Sequence, residues 1–177
     1  MKAEGRRRKA EDQRLAIVAL GSNQGDSLGL IRRATDCLQR LSDEPLLKSS
    51  LWQTSPVDCP PGSPMFVNAV VGLMPRAGET PESLFKQLQA MEKDFGRQPK
   101  QVVNEPRRLD LDLIAFGSET RNTTALALPH PRAHLRRFVL QPLSEIAPDL
   151  ILPDQNKSVA GLLAALLPGG QIVRLAE

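Results

Sequence analysis

Asp110 and Asp112 stand two residues apart in the segment PRRLDLDLI, flanked and separated by Leu109, Leu111 and Leu113. In a strand successive side chains point to opposite faces, so both carboxylates share one face and the leucines the other. Asp is depleted in strands and neighbouring like charges repel, whereas a merely solvated face more commonly uses Thr, Lys or Glu. Carboxylates about 6–7 Å apart along one strand face can reach a pair of divalent cations between them. Hard cations take oxygen ligands, and Mg²⁺ commonly uses one or two carboxylates together with substrate phosphates. Arg97, Lys100, Arg107, Arg108, Arg132, Arg136 and Arg137 lie on the flanking segments, and guanidinium forks match phosphate oxygens. The chemistry these residues suit is metal-assisted phosphoryl transfer, although a structural salt-bridge network would use the same types.

Other chemistries fit less well. No GxxxxGK[ST] loop occurs, which excludes a Walker-type nucleotide site. His130 and His134 are four apart in HPRAH, a zinc spacing on a helix, but Pro131 follows the first; a His donor to phosphate or a capping role fits better. The two cysteines, Cys37 and Cys59, have no CxxC or metal-ligand spacing.

The elements that must position these groups follow from periodicity. RLAIVALGSN rises as an apolar strand and breaks at Gly21. Asp26 then caps a helix running to about Leu41, with Leu30, Ile31, Ala34, Cys37, Leu38 and Leu41 on its apolar face. Cys37 is a core residue on this reading. LLKSSLWQT is a second strand, and SPVDCPPGSP, with four prolines, is an irregular loop suited to function or to a mobile lid. FVNAVVGLM is a third strand that sets Phe66, Asn68 and Val70 on one face. Thr80 and Pro81 begin a helix to about Phe95. Glu92 falls within its apolar stripe, where a carboxylate needs a partner or a mouth. A long loop from Arg97 leads into the aspartate strand; a basic, proline-interrupted segment and a short helix follow, then a small helix in KSVAGLLAALL and a last strand in QIVRL.

At 177 residues the chain suits one domain able to bury a core without staples. Its net charge of +3 is concentrated at one end. Residues 1–14 carry Lys2, Arg6, Arg7, Arg8, Lys9 and Arg14 against Glu4, Glu11 and Asp12, which leaves the rest neutral by the same count. Residues 1–13 therefore read as a disordered basic tail, and 14–177 as one catalytic domain. The body lacks the basic excess of a nucleic-acid binder. With no secretory signal and no long apolar run, a soluble cytoplasmic protein with reduced thiols is expected, with a monomer as the simplest state. Alternating strands and helices joined by varied connections make an α/β sandwich.

LGSN, NAVV, PRRLDLDLI, LPHPR and RFVLQPLSEIAP, in this order, resemble the 6-hydroxymethyl-7,8-dihydropterin pyrophosphokinase family of folate biosynthesis. The similarity runs over about residues 15 to 153. The resemblance implies a ferredoxin-like α+β sandwich, a mainly antiparallel sheet flanked by helices, with long mobile loops over the site. It implies transfer of pyrophosphate from ATP to 6-hydroxymethyl-7,8-dihydropterin with release of AMP, with two Mg²⁺ ions held by Asp110 and Asp112. Arg97, Arg107, Asp110 and Asp112 then stand at catalytic positions, and Glu92, Arg97, Arg107, His130 and Arg136 at ATP-binding ones. Phe66 and Phe138 stack on the pterin, Asn68 reads its edge, and Thr54, Ser55 and Val57 complete that edge. The chain departs from many relatives at Pro99, Val103 and Asn104, where an Arg, and an Arg and a Trp, are usual; Lys100 or Arg108 would replace the missing charge. Two rival readings remain on residues alone: a non-catalytic RNA-binding module, which would want surface aromatics and a basic body, and a two-metal phosphodiesterase, which would want more acidic ligands.

Overall fold

The computed structural model describes residues 14–97 and 105–176. The basic tail and the lid positions Pro99, Lys100, Val103 and Asn104 lie outside the described residues.

Alternation organises the sheet. In β1 (Ala16–Ser22), Ala16, Val18 and Leu20 face one core, while Ile17 faces the other. The first core is closed by α1 (Ser27–Gln39) and by α2 (Pro81–Asp94). The second lies under α3 (Arg137–Ile146) and α4 (Val159–Ala165). Both long helices start where the sequence places them. Asp26 accepts a hydrogen bond from the Gly29 N–H at 3.0 Å, and Thr80 and Ser83 form a reciprocal capping box that spans Pro81, each cap contributing about 1 kcal/mol. Leu30, Ile31, Ala34 and Leu38 are the buried residues of α1. Cys37, expected in the core, is only partly buried. It sits at the edge of the apolar stripe, where the Arg40 guanidinium reaches its sulfur.

The remaining strands of the main sheet are β2 (Leu47–Lys48), β3 (Trp52–Thr54), β4 (Phe66–Leu73), β5 (Asp110–Phe116) and, after the short β6 (Arg121–Asn122) and β7 (Ala127–Leu128), β8 (Ile172–Arg174). The order is β5-β1-β4-β3-β8, with β2 also pairing β4, and every pairing is antiparallel. Counting β1, β3, β4 and β5 as first to fourth, the order is fourth, first, third, second, with a helix in each crossover. This is the ferredoxin-like arrangement that the resemblance implies.

Three details depart from the sequence reading. LLKSSLWQT is two short strands, because Ser49 breaks the ladder: its N–H donates to the Val70 carbonyl at 3.0 Å while its Oγ accepts the Val70 N–H at 2.9 Å. The β6–β7 hairpin was not anticipated; its two-residue strands are too short for any periodicity to register. The β1–β5 register shifts between Ile17 and Val18, whose partners are Ala115 and Leu113. Ile114 is left over, and its carbonyl accepts the His130 backbone N–H at 2.8 Å. The bulge therefore anchors the loop that carries His130, a common use of bulges beside sites.

Candidate active site

Three adjacent strands meet at one end of the sheet on the face away from α1 and α2. Gly21 of β1 pairs with Asn68 of β4 on one side and with Asp110 of β5 on the other. Ala19 likewise lies between Val70 and Asp112. Two small residues thus separate an amide from two carboxylates and leave a trough between them. A Cβ at Gly21 would stand 3.1 Å from the Asn68 Oδ1, so a side chain there would press directly on the amide. The cleft encloses about 660 Å³ open to solvent. Its floor is Ala19, Gly21, Asn68, Asp110 and Asp112, and its walls include Phe66, Phe138, Arg107, Arg136 and the 54–59 segment.

Asn68 is buried, and its Nδ2 donates to the Thr54 Oγ1 at 2.7 Å. That bond fixes the amide and leaves its remaining donor and its oxygen for a ligand edge. Phe66 and Phe138 both line the cleft, and the Arg136 guanidinium lies 5.4 Å from the Phe138 ring centroid. If Asn68 reads a pterin edge, as the resemblance implies, Asn68→Ala should weaken pterin binding about tenfold with little change for nucleotide, since a buried ring edge would lose its paired groups. Calorimetry with each ligand separately checks this, and unchanged pterin affinity would remove Asn68 from the site.

The carboxylates are surrounded by guanidinium groups. Asp110 is bridged by Arg107 at 2.8 Å and by Arg97 at 3.3 Å, and Asp112 faces Arg136 at 3.9 Å. Burial, and then the neighbouring Asp110, push the Asp112 carboxyl up to about 6. Among the described residues no group of three or more His, Cys, Asp or Glu side chains could hold a metal ion. Two aspartates alone suit cations whose shells are completed by phosphate oxygens and water, which is Mg²⁺ behaviour.

Glu92 does not line the cleft. It is 5% exposed, its Oε1 accepts the Leu111 N–H at 2.8 Å, and its Oε2 pairs with Arg97. Burial pushes its carboxyl up, opposed by the Leu111 N–H and Arg97. Its place in an apolar stripe is thus explained by a grip on the backbone between the two aspartates. Arg97, Arg107 and Arg108 line a smaller recess beside the cleft.

His130 also lies off the cleft lining. Its Nδ1 accepts the Arg132 N–H at 3.2 Å, which leaves the Nε2 to carry the proton in the neutral ring. Burial, then Arg136 and Arg132, push its pKa down to about 4. The folded state therefore binds this proton less readily than the unfolded chain does, and the stability linked to His130 is lost as pH falls from about 6.5 toward 4. Melting curves should show a His130→Gln variant less sensitive to acid across that window; an unchanged pH profile would contradict the neutral, half-buried ring.

Sequence reasoning missed Ala19, Gly21 and Cys59 in the cleft. It also missed Asn23, whose Oδ1 accepts the Arg107 N–H at 2.8 Å while its Nδ2 donates to the Pro64 carbonyl at 3.3 Å. Asn23 is 4% exposed and ties the proline loop to the arginine segment. The turn in LGSN carried it, but nothing in the sequence told which loops it would meet.

An antiparallel ferredoxin-like sheet with paired carboxylates, three guanidinium groups and an aromatic-walled cleft on one face has the make-up of a metal-assisted phosphoryl-transfer enzyme. Residues 17–148 match the model of the 7,8-dihydro-6-hydroxymethylpterin-pyrophosphokinase family, and the chain belongs to that family. It is 39% identical over 149 residues to the 2-amino-4-hydroxy-6-hydroxymethyldihydropteridine pyrophosphokinase of Pseudomonas aeruginosa, covering 84% of this chain and 89% of that protein. The enzyme of the same name from Synechocystis sp. is 36% identical, covering 84% and 74%. A crystal structure of wild-type Plasmodium falciparum HPPK-DHPS with pteroate shares the fold with a TM-score of 0.66 at 13% identity, covering 85% of this chain and 42% of that one. The chain thus spans less than half the length of that protein.

Proposed function

We infer that this chain transfers the terminal diphosphate of ATP to the hydroxymethyl oxygen of 6-hydroxymethyl-7,8-dihydropterin, releasing AMP. The supporting observation is the shared floor: the ring-reading amide of Asn68 and the carboxylates of Asp110 and Asp112 flank Gly21 and Ala19 on one face of three paired strands. A flat heteroaromatic ring on Asn68, held between Phe66 and Phe138, would project a substituent across the small residues toward the aspartates. Asp110 and Asp112 would hold two Mg²⁺ ions, which when bound supply charge neutralisation and alignment of the phosphate chain.

The chain's own groups do the rest. Arg97 and Arg107, both paired with Asp110, lie beside the position of the phosphates and can turn to their oxygens. Arg136 stands between Asp112 and the Phe138 ring. It can neutralise phosphate while it backs the aromatic wall. The neutral His130 can donate from Nε2, and Glu92 acts on ATP through Arg97 and the Leu111 backbone. Ser55 and Val57 close the pterin side. The reading places residues 14–177 in one catalytic domain, a monomer in the cytoplasm acting on small molecules, with no nucleic-acid or membrane partner. No helix among the described residues is long and apolar enough to cross a membrane.

Incubation with ATP, Mg²⁺ and the hydroxymethyl dihydropterin should release AMP only when the pterin is present, as followed by chromatography. Nucleotide breakdown at the same rate without pterin would favour a phosphodiesterase and overturn the reading.

A further inference from the structure

The last strand and the turn before it lie beyond the region matched by the family model, which ends at residue 148, yet they are built into the pterin wall. β8 pairs with β3, setting Ile172 opposite Thr54. One residue past the end of β3 the pairing continues as a reciprocal clasp, one bond between backbones and one to a serine hydroxyl. The Ser55 N–H donates to the Gln171 carbonyl at 2.9 Å, and the Gln171 N–H donates to the Ser55 Oγ at 3.0 Å. Ser55 is the first residue of the irregular proline loop and lines the cleft. A second part of the cleft lining is braced from the same segment. Arg137, next to Phe138 at the start of α3, donates from Nη2 to the Leu166 carbonyl at 3.0 Å.

We propose that the 166–171 segment positions the pterin-clamping walls: the clasp of Gln171 on Ser55 fixes the root of the proline loop, and the Leu166 carbonyl holds Arg137 and with it Phe138. Gln171 is then a positioning residue for the ring, acting through Ser55 and without touching the phosphates. A flexible root would leave Ser55 and Val57 to be ordered on binding, at a cost in affinity. The inference rests on the pterin reading of the cleft.

Gly170 offers a test that leaves the clasp residues in place. Its φ is +46°, and a Cβ there would stand 2.7 Å from the Ser55 Oγ. Ser has no long stem to give way, so the hydroxyl must rotate off the Gln171 N–H. Gly170→Ala should therefore weaken pterin binding about five- to tenfold, the worth of one such hydrogen bond and the order it maintains, and leave nucleotide affinity unchanged. In a Ser55→Ala background, where no hydroxyl remains to be displaced, Gly170→Ala should cost no further pterin affinity. Calorimetry on the four proteins, with melting temperatures alongside, separates the clasp from backbone strain, which lowers stability in both backgrounds. The proposal is overturned if Gly170→Ala lowers only the melting temperature, or if the two substitutions weaken pterin binding additively. Failure of the wild type to bind pterin would instead overturn the function on which the proposal rests.

Discussion

Asp110→Asn and Asp112→Asn are each expected to cut turnover about a thousandfold, the scale of losing one preorganised charge at a transition state. Their effects on stability should differ. Asp110 carries the ion pairs to Arg97 and Arg107, so its neutralisation loosens two guanidinium groups. Asp112 is the carboxyl held at about 6 by burial and by Asp110. Its folded pKa lies above the unfolded value, so its contribution to stability is present at low pH and is lost as pH rises through 6. Above that range the charge is a cost borne for function, and Asp112→Asn should melt at or above the wild-type temperature without ligands. Steady-state rates at limiting Mg²⁺ and melting curves at pH 7.5 provide both readouts. Wild-type turnover in either variant would contradict the metal assignment.

Arg97→Ala is expected to lower the single-turnover rate by about a hundredfold while changing nucleotide affinity less than tenfold. A guanidinium that stabilises charge developing in the transition state contributes more to the rate than to binding. The same substitution strips the buried Glu92 of its cationic partner. An unpaired buried carboxylate destabilises a fold, so the variant should also melt lower. Adding Glu92→Gln removes the orphaned charge and keeps a hydrogen-bonding side chain for the Leu111 N–H. The double variant should regain melting temperature but not rate. Recovery of both together would assign Arg97 a purely structural role.

The parts of the site that were legible in the sequence are those set by spacing within one segment. Alternation placed Asp110 with Asp112 and Phe66 with Asn68, because a strand fixes which side chains share a face whatever its neighbours are. The caps at Asp26 and Thr80 were legible for the same reason. What could not be read was set by pairing between segments. Gly21 and Ala19 form the floor only because β1 lies between β4 and β5. Asn23 matters because Arg107 and Pro64 come to it from opposite directions. Glu92 was noticed for its position in an apolar stripe, but its grip on Leu111 depends on how α2 crosses β5. The split at Ser49 arises from a serine hydroxyl substituting for a backbone acceptor, a competition that propensity does not resolve. Lys100 and the lid positions that depart from many relatives lie outside the described residues, whereas Arg108 is placed beside Arg97 in the smaller recess.

On this reading of the cleft, one trough seats the pterin edge and the phosphate chain on opposite sides of Gly21. The most direct measurement is a crystal structure of the protein with Mg²⁺, the hydroxymethyl dihydropterin and an ATP analogue that cannot be cleaved between its α and β phosphorus atoms. The ring is expected between Phe66 and Phe138 with its edge on Asn68, with two metal ions shared by Asp110 and Asp112 and the hydroxymethyl oxygen in line with the β-phosphorus. A pterin seated away from Asn68, or phosphates held without either aspartate, would contradict it.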